Sequence, residues 1–147
     1  MKIEDLETYK KDGTKSSKSQ LKEFINLYAT IAKELKNENS VELNSIKINI
    51  KETYPQEVYL TLIDEAEKFV KFNITQGSKN YIIPIFTDIT EYKEGKSKIS
   101  TLFLDKLSCK ILSIEDIEKL ASNDENFQGL VINPHSQNFM MDRNGGF

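Results

Sequence analysis

At 147 residues the chain suits a single domain with one real core, since a chain of this size buries roughly 70% of the surface its unfolded form exposes. Hydrophobic residues at 38%, charged residues at 29% and aromatics at 10% exclude a disordered protein. A net charge of −3 argues against general nucleic-acid binding, which needs many net cations.

Lys10, Lys11, Lys15, Lys18 and Lys22 form a local basic cluster that reads as a solvated linker and helix start. With one cysteine, Cys109, no disulfide forms within the chain, and nothing points to an oxidising compartment. The opening Met1-Lys-Ile-Glu-Asp-Leu-Glu is acidic and amphipathic, unlike a secretory leader. No apolar run approaches the ~18 residues of a membrane span. Cytoplasm is the expected compartment. The richness in Lys, Asn and Ile fits an AT-rich bacterial gene.

Residues 3–9 suit a helical turn and residues 10–18 a polar loop. Ser17 and Gln20 have capping-box spacing. Leu21, Phe24, Ile25, Tyr28, Ala32 and Leu35 then recur at three- and four-residue steps, widened by Leu27 and Ile31, and predict a helix over 18–37. Residues 41–54 carry two patterns: Ile46-Lys-Ile-Asn-Ile50 alternates like a strand, while Ile46, Ile50 and Tyr54 share a helix face. Pro55 ends either element.

Val58–Ile63, Phe69–Thr75 and Tyr81–Phe86 read as three strands of an antiparallel meander, with Gln76–Asn80 as a hairpin loop. Pro84 lacks an N–H, which suggests an edge strand or a bulge. Asp88 and Glu91 again have capping-box spacing, so a short helix is expected, ended by Gly95. Ser100–Asp105 fits a strand or a helical turn. Cys109–Leu112 follows as a short strand. Ser113 with Asp116 caps a helix to Ser122, stapled by Leu112 and Ile117 and expected to bury Ile114, Ile117, Leu120 and Ala121. Gly129–Asn133 reads as a buried strand, Asn133–Gln137 as a turn, Phe139–Asp142 as the returning strand and 143–147 as a tail.

The expected fold class is therefore α+β. A mixed, largely antiparallel sheet of about five to six strands packs with a long N-terminal helix and a helix at Ser113–Ser122. Residues 1–18 form an extension and linker, 19–143 one domain, and 144–147 a flexible tail.

Two segments stand out in order: Pro84-Ile-Phe-Thr-Asp88, where a strand turns into a capped helix, and Gly129-Leu-Val-Ile-Asn-Pro-His-Ser136, followed by Asn138-Phe139. The pair resembles the N-terminal domain of the SseB family, the enhanced serine sensitivity type, over roughly residues 19–143. The resemblance implies an α+β fold with a mixed sheet and no catalytic residues. Two departures are a longer 89–112 stretch and an end at Phe147, where longer relatives continue into a second domain.

Residue chemistry points the same way. Cys109 and His135 are the only candidates for a thiolate–imidazole pair, and Cys109 sits in an apolar strand pattern. Structural zinc wants four Cys or His ligands, and this chain has two in total. The carboxylate runs Asp64-Glu65-Glu67, Glu115-Asp116-Glu118 and Asp124-Glu125 lack the calcium-loop alternation and read as solvated surface. No glycine-rich phosphate cradle occurs. No cofactor, metal or catalytic set is therefore expected.

The candidate surface comprises Pro84, Thr87, Asp88, Asn133, His135, Gln137 and Asn138. Caps and turns explain most of these residues, and a shared recognition edge for a partner strand is the functional alternative. The leading expectation is a non-enzymatic interaction or regulatory module with a protein partner, monomeric or a weak homodimer through a sheet edge. The alternatives are an immunity-type or accessory protein neutralising a basic partner, and an enzyme using Cys109 or His135.

Overall fold

The computed structural model describes residues 19–34, 41–64, 66, 68–98, 107–144 and 146–147. The turn expected at 3–9, the loop at 10–18 and the segment Ser100–Asp105 lie outside them.

Ser19, rather than Ser17, opens helix α1 (Gln20–Glu34); Ser17 lies outside the described residues. The Ser19 hydroxyl oxygen accepts from the Lys22 N–H at 3.1 Å. The Glu57 carboxylate accepts from the Ser19 hydroxyl and from the Leu21 N–H. Helix-start donors are thus satisfied partly by a side chain 36 positions away. Leu21 and Ile25 are buried, and Phe24, Tyr28 and Ile31 are half-buried. Leu27 is 47% exposed and Ala32 is exposed, so the apolar stripe is narrower than expected.

Helix α2 (Val41–Thr53) resolves the double pattern at 41–54. Leu43, Ile46 and Ile50 are buried, and Tyr54 continues the face into a single 3₁₀ turn, Tyr54–Gln56. The strand alternation fails because Ile48, midway between Ile46 and Ile50, is 55% exposed on the opposite side.

The sheet contains β1 (Val58–Ile63), β2 (Phe72–Asn73), β3 (Tyr81–Phe86), β4 (Ser108–Ser113), β5 (Phe127–Ile132) and β6 (Phe139–Asp142). Its order is β4-β1-β3-β5-β6, with β2 beside β3. β3 and β5 are parallel and the other pairs antiparallel. Helix α3 (Ile89–Lys98) follows β3, and α4 (Ile114–Ala121) joins β4 to β5. The α+β class with a mixed, mostly antiparallel sheet is as expected.

Two expectations about the first strands are corrected. Pro84 is not on an edge: β3 lies between β1 and β5. The Ile85 carbonyl points to the β5 side, where it accepts from the Asn133 N–H at 2.9 Å. Strand alternation turns the Pro84 nitrogen to the other side. There β1 pairs with Ile85 and Phe86, and β2 with Tyr81 and Ile82, so proline fills a gap in the ladder. Nor is the run from Val58 to Phe86 a simple meander. Phe69 bridges Ile63, and Phe72–Asn73 pairs with β3, so this segment sits at a fork between β1 and β3. The strand expected over Phe69–Thr75 shrinks to two residues.

Helices α1, α2 and α4 cover one face of the sheet, over Tyr59, Ile83, Ile85, Leu130 and Ile132. On the other face Leu60, Leu62 and Phe86 meet Tyr92 of α3, with the Phe86 and Tyr92 rings edge-on at 5.8 Å. Gly95 does not end α3 but lies inside it, under the Phe86 ring. Ser113 caps α4 through the Asp116 N–H at 3.2 Å, and Leu112 and Ile117 are both buried, as the staple requires. Leu120 is 61% exposed, against the expectation that it is buried.

Gly129 has φ +151, and a Cβ there would lie 2.1 Å from the Met141 carbonyl oxygen, so β5 needs glycine at this point. The segment expected as a free tail folds back. The Gly146 carbonyl accepts from the Asp142 N–H, and the Phe147 ring packs against Tyr28 and Phe139.

Candidate functional site

Two chain reversals meet at the ends of the parallel pair β3 and β5. After Phe86 the chain turns at Thr87 and Asp88 into α3, where the Asp88 carboxylate caps the helix by accepting the Glu91 N–H at 3.0 Å. After Ile132, Asn133 (φ 49) begins the hairpin turn and Asn138 (φ 47) closes it. Asparagine tolerates this left-handed backbone better than most residues. The Asn133 carbonyl accepts from the Ser136 and Asn138 N–H groups.

The Asn133 side chain joins the two reversals. Its Oδ1 accepts the Thr87 N–H at 3.1 Å. Its Nδ2 donates to Thr87 Oγ1 at 3.0 Å and to Gln137 Oε1 at 2.9 Å. Thr87 and Asn133 are both 0% exposed. The segments Tyr81–Asp88 and Gly129–Asn138 are therefore neighbours, joined below the surface.

Helix α1 is fastened to this pair by a charged layer. Lys22 Nζ lies 3.1 Å from Asp88 Oδ2 and 3.0 Å from Glu91 Oε1. Ser136 donates its hydroxyl to Glu91 Oε2 at 2.7 Å, and Thr87 donates to Asp88 Oδ2 at 3.0 Å. Gln137 Nε2 donates to the Lys22 carbonyl and to Asn26 Oδ1, at 2.8 and 2.7 Å. Burial pushes the Asp88 pKa up, but the Glu91 N–H, the Lys22 ammonium and the Thr87 hydroxyl outweigh it and hold the carboxyl below its ordinary value. Burial likewise lowers the Lys22 pKa, and its bonds to Glu91 and Asp88 more than restore it. Both groups are thus held charged.

Of the seven expected residues, Thr87, Asp88, Asn133 and Gln137 belong to one network. Pro84 is buried in β3, away from any edge, while His135 and Asn138 are exposed on the turn. Sequence reading missed Lys22, Asn26, Glu91 and Ser136 as members. Lys22 stands 66 positions from Asp88 and looked like one of five tail lysines. Glu91 showed only its capping spacing, although its side chain is 9% exposed.

Cys109 is half-buried on β4, and burial pushes its thiol up to about 11. β1 and β3 separate β4 from β5, so the sheet holds Cys109 roughly 14 Å from the strand leading to His135, three steps of about 4.8 Å. That separation excludes a direct thiolate–imidazole pair.

Chemically, the corner is a clasp. Its donors and acceptors are spent on one another, and they tie α1, α3 and the β5–β6 hairpin together. Among the described residues no buried side-chain nitrogen or oxygen lacks a partner, and no three metal-ligating side chains converge. No described helix is long and apolar enough to cross a membrane. No protein-family model, curated protein or solved structure matches the chain.

Proposed function

We propose that this chain is a non-catalytic interaction or regulatory module of the SseB N-terminal type, acting on a protein partner in the cytoplasm. The observation that carries the reading is the closed clasp. The constellation with the most polar chemistry in the sequence is used to fix helix α1 to the corner and the hairpin. Such a scaffold offers other molecules its surface rather than a reactive centre. The family likeness rests on the ordered pair Pro84–Asp88 and Gly129–Ser136, a strand-to-helix corner and a strand-to-turn reversal. Self-association through a sheet edge, part of the same reading, would use β4 or β6, since β3 is internal.

The test is the size of the chain in its native extract. A module bound to a partner sediments well above the 16.9 kDa of the monomer, and cross-linking recovers the same partner in replicate preparations. Sedimentation as a monomer, with no reproducible cross-link at endogenous concentration, would defeat the proposal.

A further inference from the structure

A second surface, on the face that carries α4, has a different character. Beyond the C-terminal end of α4 lies an open cavity of about 240 Å³. Its apolar floor includes Ile63 and Phe69, the exposed Leu120 lines one side, and Lys68, Lys71 and Lys110 also line it. All three lysines are exposed; Lys71 lies in the field of the Asp124 carboxylate, and none makes a direct ion pair among the described residues.

One wall of the cavity is fixed. The Tyr81 hydroxyl donates to Asp124 Oδ2 at 2.7 Å, and the Asn126 N–H donates to the other oxygen at 2.9 Å. Lys71 Nζ sits 4.5 Å from the Tyr81 ring centroid. Among the described residues the lining thus carries three cations against one carboxylate that is already bonded, in a chain whose net charge is −3. A larger depression nearby is different: its Lys119 pairs with Glu115, and its Arg143 donates to the Ser122 carbonyl.

We infer that this basin binds an acidic segment of a protein partner, with one apolar side chain seated on Leu120 and Phe69 and flanking carboxylates on Lys68, Lys71 and Lys110. The inference rests on the interaction-module reading and names its partner chemistry. Three features select this occupant. The volume is below the roughly 300 Å³ where ligand pockets usually begin, so it suits one side chain rather than a cofactor. The apolar floor and the exposed leucine favour a peptide over a phosphate backbone. Finally, exposed lysines round an apolar centre match the polar rim and desolvated core of protein interfaces.

The probe is a fluorescein-labelled peptide with one phenylalanine between two pairs of glutamates, titrated with the full chain by fluorescence anisotropy. Saturable binding is expected, weakening several-fold when salt rises from about 50 to about 500 mM. Replacing the peptide's phenylalanine by serine, or its glutamates by glutamine, should weaken binding roughly tenfold. On the protein, K68E/K110E and L120N should each weaken it by a similar factor. These positions are exposed, so the variants should unfold like the parent in urea. Absence of saturable binding, equal binding to the variants, or tighter binding of a labelled oligothymidine than of the peptide would overturn the inference. Cross-linking in native extract separates this failure from failure of the broader reading. A partner retained by K68E/K110E would leave the module standing and remove the basin, whereas a wild-type monomer would remove the module itself.

Discussion

The most informative perturbation of the clasp is Asn133→Ala. It removes the acceptor of the Thr87 N–H inside a site that water does not reach, which costs about 1–3 kcal/mol. It also removes donor bonds to Thr87 Oγ1 and Gln137 Oε1, each contributing about 0.5–1.5 kcal/mol net. Alanine at φ 49 adds about 1–2 kcal/mol of backbone strain. Allowing for relaxation, the expected loss is about 3–5 kcal/mol, a large share of a typical total of about 5–15 kcal/mol. Asn133→Gly isolates the strain, because glycine accepts the left-handed backbone, and should be milder by about 1 kcal/mol. Equilibrium urea unfolding followed by circular dichroism measures both, with the slope against urea unchanged. An Asn133→Ala loss below about 1 kcal/mol would refute the claim that this side chain joins the two reversals.

Three further expectations follow from the same geometry. Lys22→Met leaves Asp88 and Glu91 facing each other without their cation and should cost about 1–2 kcal/mol, screening by solvent included. Asp88 is held below 3.8 and Lys22 above 10.5, so their contribution is complete between those values. It is lost as pH falls through the folded Asp88 pKa or rises through the folded Lys22 pKa. The stability gap between wild type and K22M should therefore be widest between about pH 5 and 9, and a gap independent of pH would contradict the pairing. Gly95→Ala places a Cβ 2.2 Å from Phe86 Cε1 and should destabilise by about 1–3 kcal/mol despite alanine's better helix propensity, so a raised melting temperature would rule out this packing. Cys109, with its thiol at about 11, should react with iodoacetamide at pH 8 roughly a hundredfold more slowly than in urea, and equal rates would show that it is not buried as described.

Elements whose signal is local were legible in the sequence. Val58–Ile63 and Tyr81–Phe86 are observed with the expected bounds, and Asp88 and Ser113 cap their helices as their spacing indicated. What failed depended on distant partners. Pro84 suggested an edge because a missing N–H usually goes there, and nothing local shows that β2 leaves a gap opposite it. Gly95 looked like a helix end because nothing nearby in sequence reveals the Phe86 ring above it. Leu120 has a core residue's chemistry but lies off the Ile114–Ile117–Ala121 face that α4 turns to the sheet. At the candidate site, the order of Thr87 and Asn133 along the chain was readable, but their contact was not. Lys22 and Glu91 gave no sign of converging, since pairing over 66 and 69 positions leaves no spacing to read.

In the proposed division of roles, the Thr87–Asn133 corner is architectural and the lysine-rimmed basin recognises the partner. Amide chemical-shift mapping of the ¹⁵N-labelled chain, titrated with the glutamate-flanked phenylalanine peptide, tests that division most directly. The account predicts shifts concentrated at Lys68, Phe69, Lys71, Lys110 and Leu120, with the His135 turn unmoved. Shifts concentrated at His135, Gln137 and Asn138, with the basin silent, would contradict it.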